Sequence, residues 1–128
     1  VMRGTGLARD LAGFLAEHAP THVYTVVTFL GAGLVNLFVP SGGGQWAVQG
    51  PIAVEAARSL GLPLEQVVLA VAYGDQWTNM LQPFWALPLL AITGIEARDI
   101  LGYTTLFLLI GGGWMIACLL AFSTLALA

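Results

Sequence analysis

Charge is the first thing this sequence lacks. Of its 128 residues, four are Lys or Arg and seven are Asp or Glu, so charged residues make up 9% of the chain, against about a quarter in an ordinary soluble domain. No Lys/Arg cluster is present, and a net charge of -3 is too small and too scattered to grip phosphates, which excludes nucleic acid as a partner. Cysteine is nearly missing as well. Cys118 stands alone in the last apolar run, so there is neither a disulfide framework nor metal-ligand spacing, and it reads as a small packing residue. The opening "VMRGTGLARDL" lacks the continuous apolar core and cleavage site of a signal peptide, and it starts on Val1 rather than Met. The chain is expected to be a fragment.

What is present is hydrophobic sequence, 58% of the whole. No Asp, Glu, Lys or Arg occurs between Glu17 and Glu55, Asp75 alone occurs between Glu65 and Glu96, and none follows Asp99. Each gap is long enough for a span, since about 20 apolar residues cross the hydrocarbon core. The expected fold class is therefore an all-α integral membrane protein. Residues 6 to 18 place Leu7, Leu11, Phe14 and Leu15 on one face, with Arg9, Asp10 and Glu17 off it; residues 1–20 are expected to hold an interfacial helix ended by Pro20. His18 and His22 flank that proline, which spoils a common face, so they read as interfacial and not as a metal site.

A span is expected over 21–39, with Gly31, Ala32 and Gly33 allowing close helix packing. Residues 40–60 begin "PSGGGQWAVQGP" and are too short in apolar length for an independent span; they read as re-entrant, interrupted at Gly50-Pro51. A helix from Pro63 with Glu65 at its positive end is expected to run to 93 with a polar break in "GDQWTNMLQP". The connection "GIEARDI" belongs at headgroup level, and a last span is expected over 103–127, where Gly111 to Gly113 suit close packing.

Two breaks in so apolar a chain carry a chemical implication. Inside a bilayer each unsatisfied backbone N–H or C=O costs several kcal/mol, so broken backbone persists only when buried in protein or lining a watery cavity. Membrane carriers use such breaks to hold anionic groups at half-helix N-termini and cations on unwound carbonyls and side-chain oxygens. In the first break, Gly42, Gly43 and Gly44 let backbone N–H groups approach a ligand with no Cβ in the way, and Ser41 and Gln45 add polar side chains. A carboxylate suits such a nest. An extramembrane turn would use the same residues.

In the second break, Asp75 is the sole ionisable residue of its run, by default a functional-site hypothesis within a membrane. Thr78 and Asn79 follow at helical spacing and would share its face; the oxygen set suits H⁺ or a hard ion such as Na⁺. Asp75 as a helix N-cap, with Thr78 and Asn79 bonding local backbone, is the competing reading. Asn36, one turn before the first break, either lines the cavity or hydrogen-bonds a neighbouring helix. Trp46, Trp77, Trp85 and Trp114 read as packing or interface anchors. An intramembrane enzyme with Ser41 as nucleophile finds no convincing base and no Gly-x-Ser-x-Gly elbow, so no enzyme activity is expected. A non-transporting structural subunit remains the other alternative.

The stretches "NLFVPSGGGQWAVQGPI" and "YGDQWTNMLQPFWALPLLAITGIEARDILGY" closely resemble the short-chain fatty acid transporter family, from about Thr21 onward. They are more distantly similar to other families of the ion-transporter superfamily, including carriers of C4-dicarboxylates and aminobenzoyl-glutamate. The resemblance implies a multi-pass inner-membrane secondary carrier with re-entrant hairpins, discontinuous helices and elevator-like movement of a transport domain. Such carriers are much longer, so the chain reads as a C-terminal part. The expected substrate is a short-chain monocarboxylate such as acetoacetate or butyrate, or else another small carboxylate of the dicarboxylate type. It would be held by Ser41, Gly42, Gly43, Gly44 and Gln45, with H⁺ or Na⁺ coupled through Asp75, Thr78 and Asn79. Expected partners are that substrate, the lipid bilayer and the remainder of the carrier; a homo-oligomer is compatible with this, and no cofactor beyond the coupling ion is implied.

Overall fold

A computed structural model describes residues 21–125; the interfacial helix expected over 1–20, His18 among it, lies outside the described residues. Helix α1 (Thr21–Phe38) is followed by α2 (Gly42–Ser59) and α3 (Leu64–Thr78). Two short 3₁₀ turns, Asn79–Leu81 and Pro83–Ala86, lead to α4 (Leu87–Thr93) and then to the long α5 (Ala97–Leu125). No strand occurs among the described residues, and the protein is all-α. One helix among them, over Ala97–Thr124, is long and apolar enough to cross a membrane, with a mean hydropathy of 2.2. At about 1.5 Å per residue, α5 extends about 43 Å, and it starts six residues before the span expected from Tyr103. Asp99 lies in its first turn and accepts from the Glu96 N–H at 3.3 Å, so half of the "GIEARDI" connection is already helical.

Local chemistry sets the helix ends. Pro40 follows α1, and the residue before a proline is pushed out of helical backbone. Ser41 caps α2 in extended geometry, φ -153° and ψ 108°, and its hydroxyl accepts from the Gly44 N–H. At the other end Gly61 takes φ +66°, with the Leu62 N–H on the Ala57 carbonyl and the Gly61 N–H on the Arg58 carbonyl. This paired closure needs a left-handed residue, which glycine adopts without Cβ strain, and Pro63 then starts the next helix.

Two of the expected interruptions fall elsewhere. Residues 42–59 form one helix through Gly50-Pro51. Part of the penalty for proline inside a helix is the clash of its ring with the Cβ of the preceding residue, and Gly50 has none. That Cβ would also sit 2.7 Å from the Trp46 ring, so the indole covers the turn at the proline. The second break likewise begins later than "GDQW". Helix α3 continues through Gly74 and Asp75 to Thr78 because Gly74 is where α3 meets α1: a Cβ there would run into the Phe29 carbonyl and lie 2.7 Å from the Ala32 Cβ. The backbone leaves the helix only near Pro83, which lacks an N–H and holds Gln82 extended at φ -104°, ψ 107°.

The core lies between α1, α2 and α3, where Tyr24, Ala32, Ala53, Ala56, Ala57, Leu62, Val67 and Val71 are buried together. Mostly small side chains let these helices approach closely, as membrane helices require. Helix α5 is attached to this core by Trp77. Its indole stacks on Phe29 with ring centroids 4.9 Å apart, and its Nε1 donates to the Leu108 carbonyl at 2.7 Å. A Cβ on Gly33 would lie 2.9 Å from one edge of the ring, and one on Gly112 would lie 2.6 Å from its Nε1. Of the triple glycine, only Gly112 is required by contact; Gly113 faces open space. Gly112→Ala is expected to cost about 1–3 kcal/mol through overpacking, and Gly113→Ala to stay within about 0.5 kcal/mol, in unfolding of the detergent-solubilised protein. Equal effects would show that the wedge does not hold α5.

Candidate functional site

At the first turn of α2, helix geometry leaves the N–H groups of Gly42, Gly43 and Gly44 without intrahelical acceptors. The Ser41 Oγ takes that of Gly44 at 3.3 Å, and the Ser41 O–H remains available as a donor at an exposed position. Gly43 is exposed, and a Cβ there would meet nothing within 4 Å. Positive dipole end and exposed amides together favour an anion.

Gln45 is placed differently from the exposed glycines. It is 1% exposed, and its Nε2 donates to the Ala32 carbonyl at 2.9 Å and the Gln49 Oε1 at 3.2 Å. Both donors are engaged, the first tying α2 to α1 and the second staying within α2. What Gln45 offers a ligand is its Oε1, a buried acceptor with no hydrogen-bond partner among the described residues.

Asp75 approaches the same turn from α3. A Cβ built on Gly42 would lie 3.5 Å from the Asp75 Oδ2, so the carboxylate lies beside the start of α2. Its Oδ1 is buried and also lacks a partner among the described residues. Gly42, Gln45, Asp75, Trp46 and Val71 border a cavity of about 330 Å³. The two halves of the expected site, one from each sequence motif, thus meet at Gly42 and Asp75.

Thr78 and Asn79 turn the other way, toward α1, where fully buried Asn36 gathers them. The Asn36 Nδ2 donates to the Asp75 main-chain carbonyl at 2.8 Å, the Asn79 Oδ1 at 2.9 Å and the Thr78 Oγ1 at 3.0 Å. Two hydrogens serve three acceptors, so one is shared. The orientation of this amide follows from its surroundings, because its oxygen in that place would face three oxygens. Thr78 donates in turn to the Gly33 carbonyl at 3.0 Å. Asn36 therefore makes the interhelical bonds, one of its two expected roles, and its Oδ1 is a further buried acceptor without a partner among the described residues.

Two residues that sequence reasoning missed complete this arrangement. The Gln82 Nε2 donates to the Asn36 carbonyl at 2.8 Å, and the Trp85 Nε1 donates to the Asn79 carbonyl at 3.1 Å. The first ties the irregular segment back to α1, and the second closes the segment on itself, adding to the Gln82 N–H already on the Asn79 carbonyl. A polar residue directly before Pro83 was the available signal for Gln82; nothing in the sequence separated Trp85 from an interfacial anchor. Beside this segment lies a second, larger cavity of about 730 Å³, lined by Pro40, Gln76, Asn79, Met80, Phe84 and Trp85 among others. Gln76 borders both cavities.

Residues 1–122 match the family described as short chain fatty acid transporter. The chain is 47% identical over 112 residues to a protein of Escherichia coli (strain K12) named as a short-chain fatty acid transporter, covering 88% of this chain and 26% of that one. It is 44% identical over 103 residues to a protein of the same name from Haemophilus influenzae (strain ATCC 51907 / DSM 11121 / KW20 / Rd), covering 80% of this chain and 23% of the relative. The chain thus spans about a quarter of the length of the curated relatives it matches. No solved structure matches it.

The Asn36 bonds generate a test that separates a donor hub from ordinary packing. Asn36→Leu leaves buried oxygens without their donor and should cost on the order of 3 kcal/mol. Asn36→Asp, nearly the same shape, should cost at least as much because it sets a carboxylate against those oxygens. Unfolding midpoints of the detergent-solubilised variants give the comparison; an Asp variant as stable as the parent would refute the hub.

Proposed function

We propose that this chain, which belongs to the short-chain fatty acid transporter family, is a segment of a multi-pass inner-membrane secondary carrier for short-chain monocarboxylates such as acetoacetate or butyrate, coupled to H⁺ or Na⁺. On this reading it works as part of a longer carrier and not as an enzyme. Helix α2 serves as the re-entrant arm, and α3, the 3₁₀ turns and α4 form the discontinuous helix.

The observation that carries the reading is the approach of the Asp75 carboxylate to Gly42 in the first turn of α2. An anion-favouring helix start and a membrane carboxylate face each other across one cavity, in a chain whose backbone is broken close by. Ser41 and the Gly42 and Gly43 amides hold the substrate carboxylate, with Gly44 serving the cap that fixes their direction and Gln45 setting the α1–α2 distance. The short acyl chain lies against the apolar wall of the same cavity, formed by Trp46, Val68, Val71 and Ala72. Asp75 carries the coupling ion, and Thr78 and Asn79 support it through Asn36, which also binds the Asp75 main-chain carbonyl.

The test is uptake of radiolabelled butyrate into proteoliposomes by the complete carrier bearing this segment, under imposed H⁺ or Na⁺ gradients. Ser41→Ala should lower kcat/KM about tenfold, the equivalent of one hydrogen bond to a charged group. Asp75→Asn should abolish the response to the driving gradient. Gradient-driven uptake that survives Asp75→Asn would remove Asp75 from the coupling role, and a correctly inserted carrier inert toward both butyrate and acetoacetate would overturn the substrate assignment.

A further inference from the structure

The cavity between α2 and α3 already contains one carboxylate, and none of the described residues lining it is a cation. Its other walls come from Trp46, Val68, Val71 and Ala72, with Gln45 and Gln76 as the neutral polar groups. Charged and titratable groups elsewhere on the packed helices are remote or turned away. Glu65 on α3 is ten residues back, about 15 Å along the axis, and Glu55 and Arg58 lie at the far end of α2. Tyr73 borders a separate cavity with Cys118, Tyr24 of α1 reaches the Ala53 carbonyl, and α5 has its charges, Arg98 and Asp99, at its start. A substrate carboxylate entering beside Gly42 thus meets a second carboxylate with no side-chain cation among the described residues to offset the pair.

We infer, resting on the carrier reading above, that the substrate carboxylate and the Asp75 carboxylate hold a single proton between them in this cavity, so that H⁺ is the coupling ion. Two carboxylates confined to one site of low polarity do not both ionise; they retain one proton in common. The shared proton forms an O–H bond on one carboxylate and a hydrogen bond to the other, while the Gly42 and Gly43 amides stabilise the remaining negative charge. When substrate departs, that O–H bond breaks and one proton leaves with each anion.

The oxygen inventory favours a proton over Na⁺. Hard metal cations bound by proteins take about six oxygen ligands. The side chains lining this cavity present two buried, unpartnered acceptors among the described residues, the Gln45 Oε1 and the Asp75 Oδ1. The oxygens that would enlarge the set, those of Thr78, Asn79 and the Asp75 main chain, already surround the Asn36 Nδ2 at 2.8 to 3.0 Å. An amide nitrogen stands where a metal ion would gather its ligands. Gln45, held by both of its donors, keeps its nitrogen engaged, and its Oε1 is a buried acceptor without a partner among the described residues, for which a protonated carboxyl would be a donor.

The measurement is proton uptake on butyrate binding, read with a pH indicator in weak buffer, by the complete carrier in lipid nanodiscs with either Na⁺ or choline as the salt cation. One proton should be taken up for each butyrate bound, in both salts. Where free butyrate and free Asp75 are both ionised, the affinity should rise about tenfold for each unit the pH falls, because the complex holds a proton that the separated partners do not. In Asp75→Asn, whose amide can itself donate to the substrate, the slope should flatten. Binding without proton uptake, a requirement for Na⁺, or an unchanged slope in Asp75→Asn would each overturn the shared proton while leaving the carrier reading intact. Folded carrier that binds no butyrate would overturn the carrier reading, and this inference with it.

Discussion

A buried carboxamide between an intact helix and a broken one carries the architecture of this chain. Asn36 is in the last full turn of α1, and its Nδ2 meets three oxygens at the point where α3 stops being helical. Water could solvate those oxygens in a soluble protein, but a membrane interior offers no such relief. Because one donor group serves the main chain of Asp75 and the side chains of Thr78 and Asn79, the end of α3 is fixed in place. Asp75 can then face the start of α2 without the loss of helical bonds around it. Gln82 and Trp85 extend the same solution by a few residues, returning donors to the carbonyls of Asn36 and Asn79.

Much of this was legible in the residues, but in type more than in place. The apolar gaps between charges gave the helical class, and the order of elements follows them closely. Gly61 and Pro63 gave the α2–α3 turn, since a left-handed residue followed by an imino acid leaves few alternatives. The positions of the breaks were not legible. Gly50-Pro51 and Gly74-Asp75 carry local signals for interruption, yet both lie within helices. Their glycines answer to neighbours, Trp46 in one case and the α1 backbone in the other, and a pairwise requirement of that kind is invisible to local propensity.

The candidate site shows the same division. Its residue types could be listed from composition, because a lone carboxylate and a glycine-rich helix start are conspicuous in so apolar a chain. Their grouping could not. Helical spacing puts Thr78 and Asn79 on the face of Asp75, but their side chains go to Asn36, and α1 takes the carbonyl of Asp75 while its carboxylate lies beside the start of α2. The glutamine of the first motif reads as a ligand donor until the Ala32 carbonyl and Gln49 are seen to occupy both of its N–H groups.

The contact at Gly74 has a mechanical consequence. With the α3 backbone seated directly on the Phe29 carbonyl and the Gly33 amide, the ridge of one helix has no clearance to slip along the other. Gln45 pins α2 to α1 near the same level, and Trp77 keys α5 into Gly33 and Gly112. These four helices are therefore held to one another by close backbone approach, one buried amide hydrogen bond and one ring wedge. The irregular run from Asn79 to Ala86 is held differently, through side-chain donors from Gln82 and Trp85.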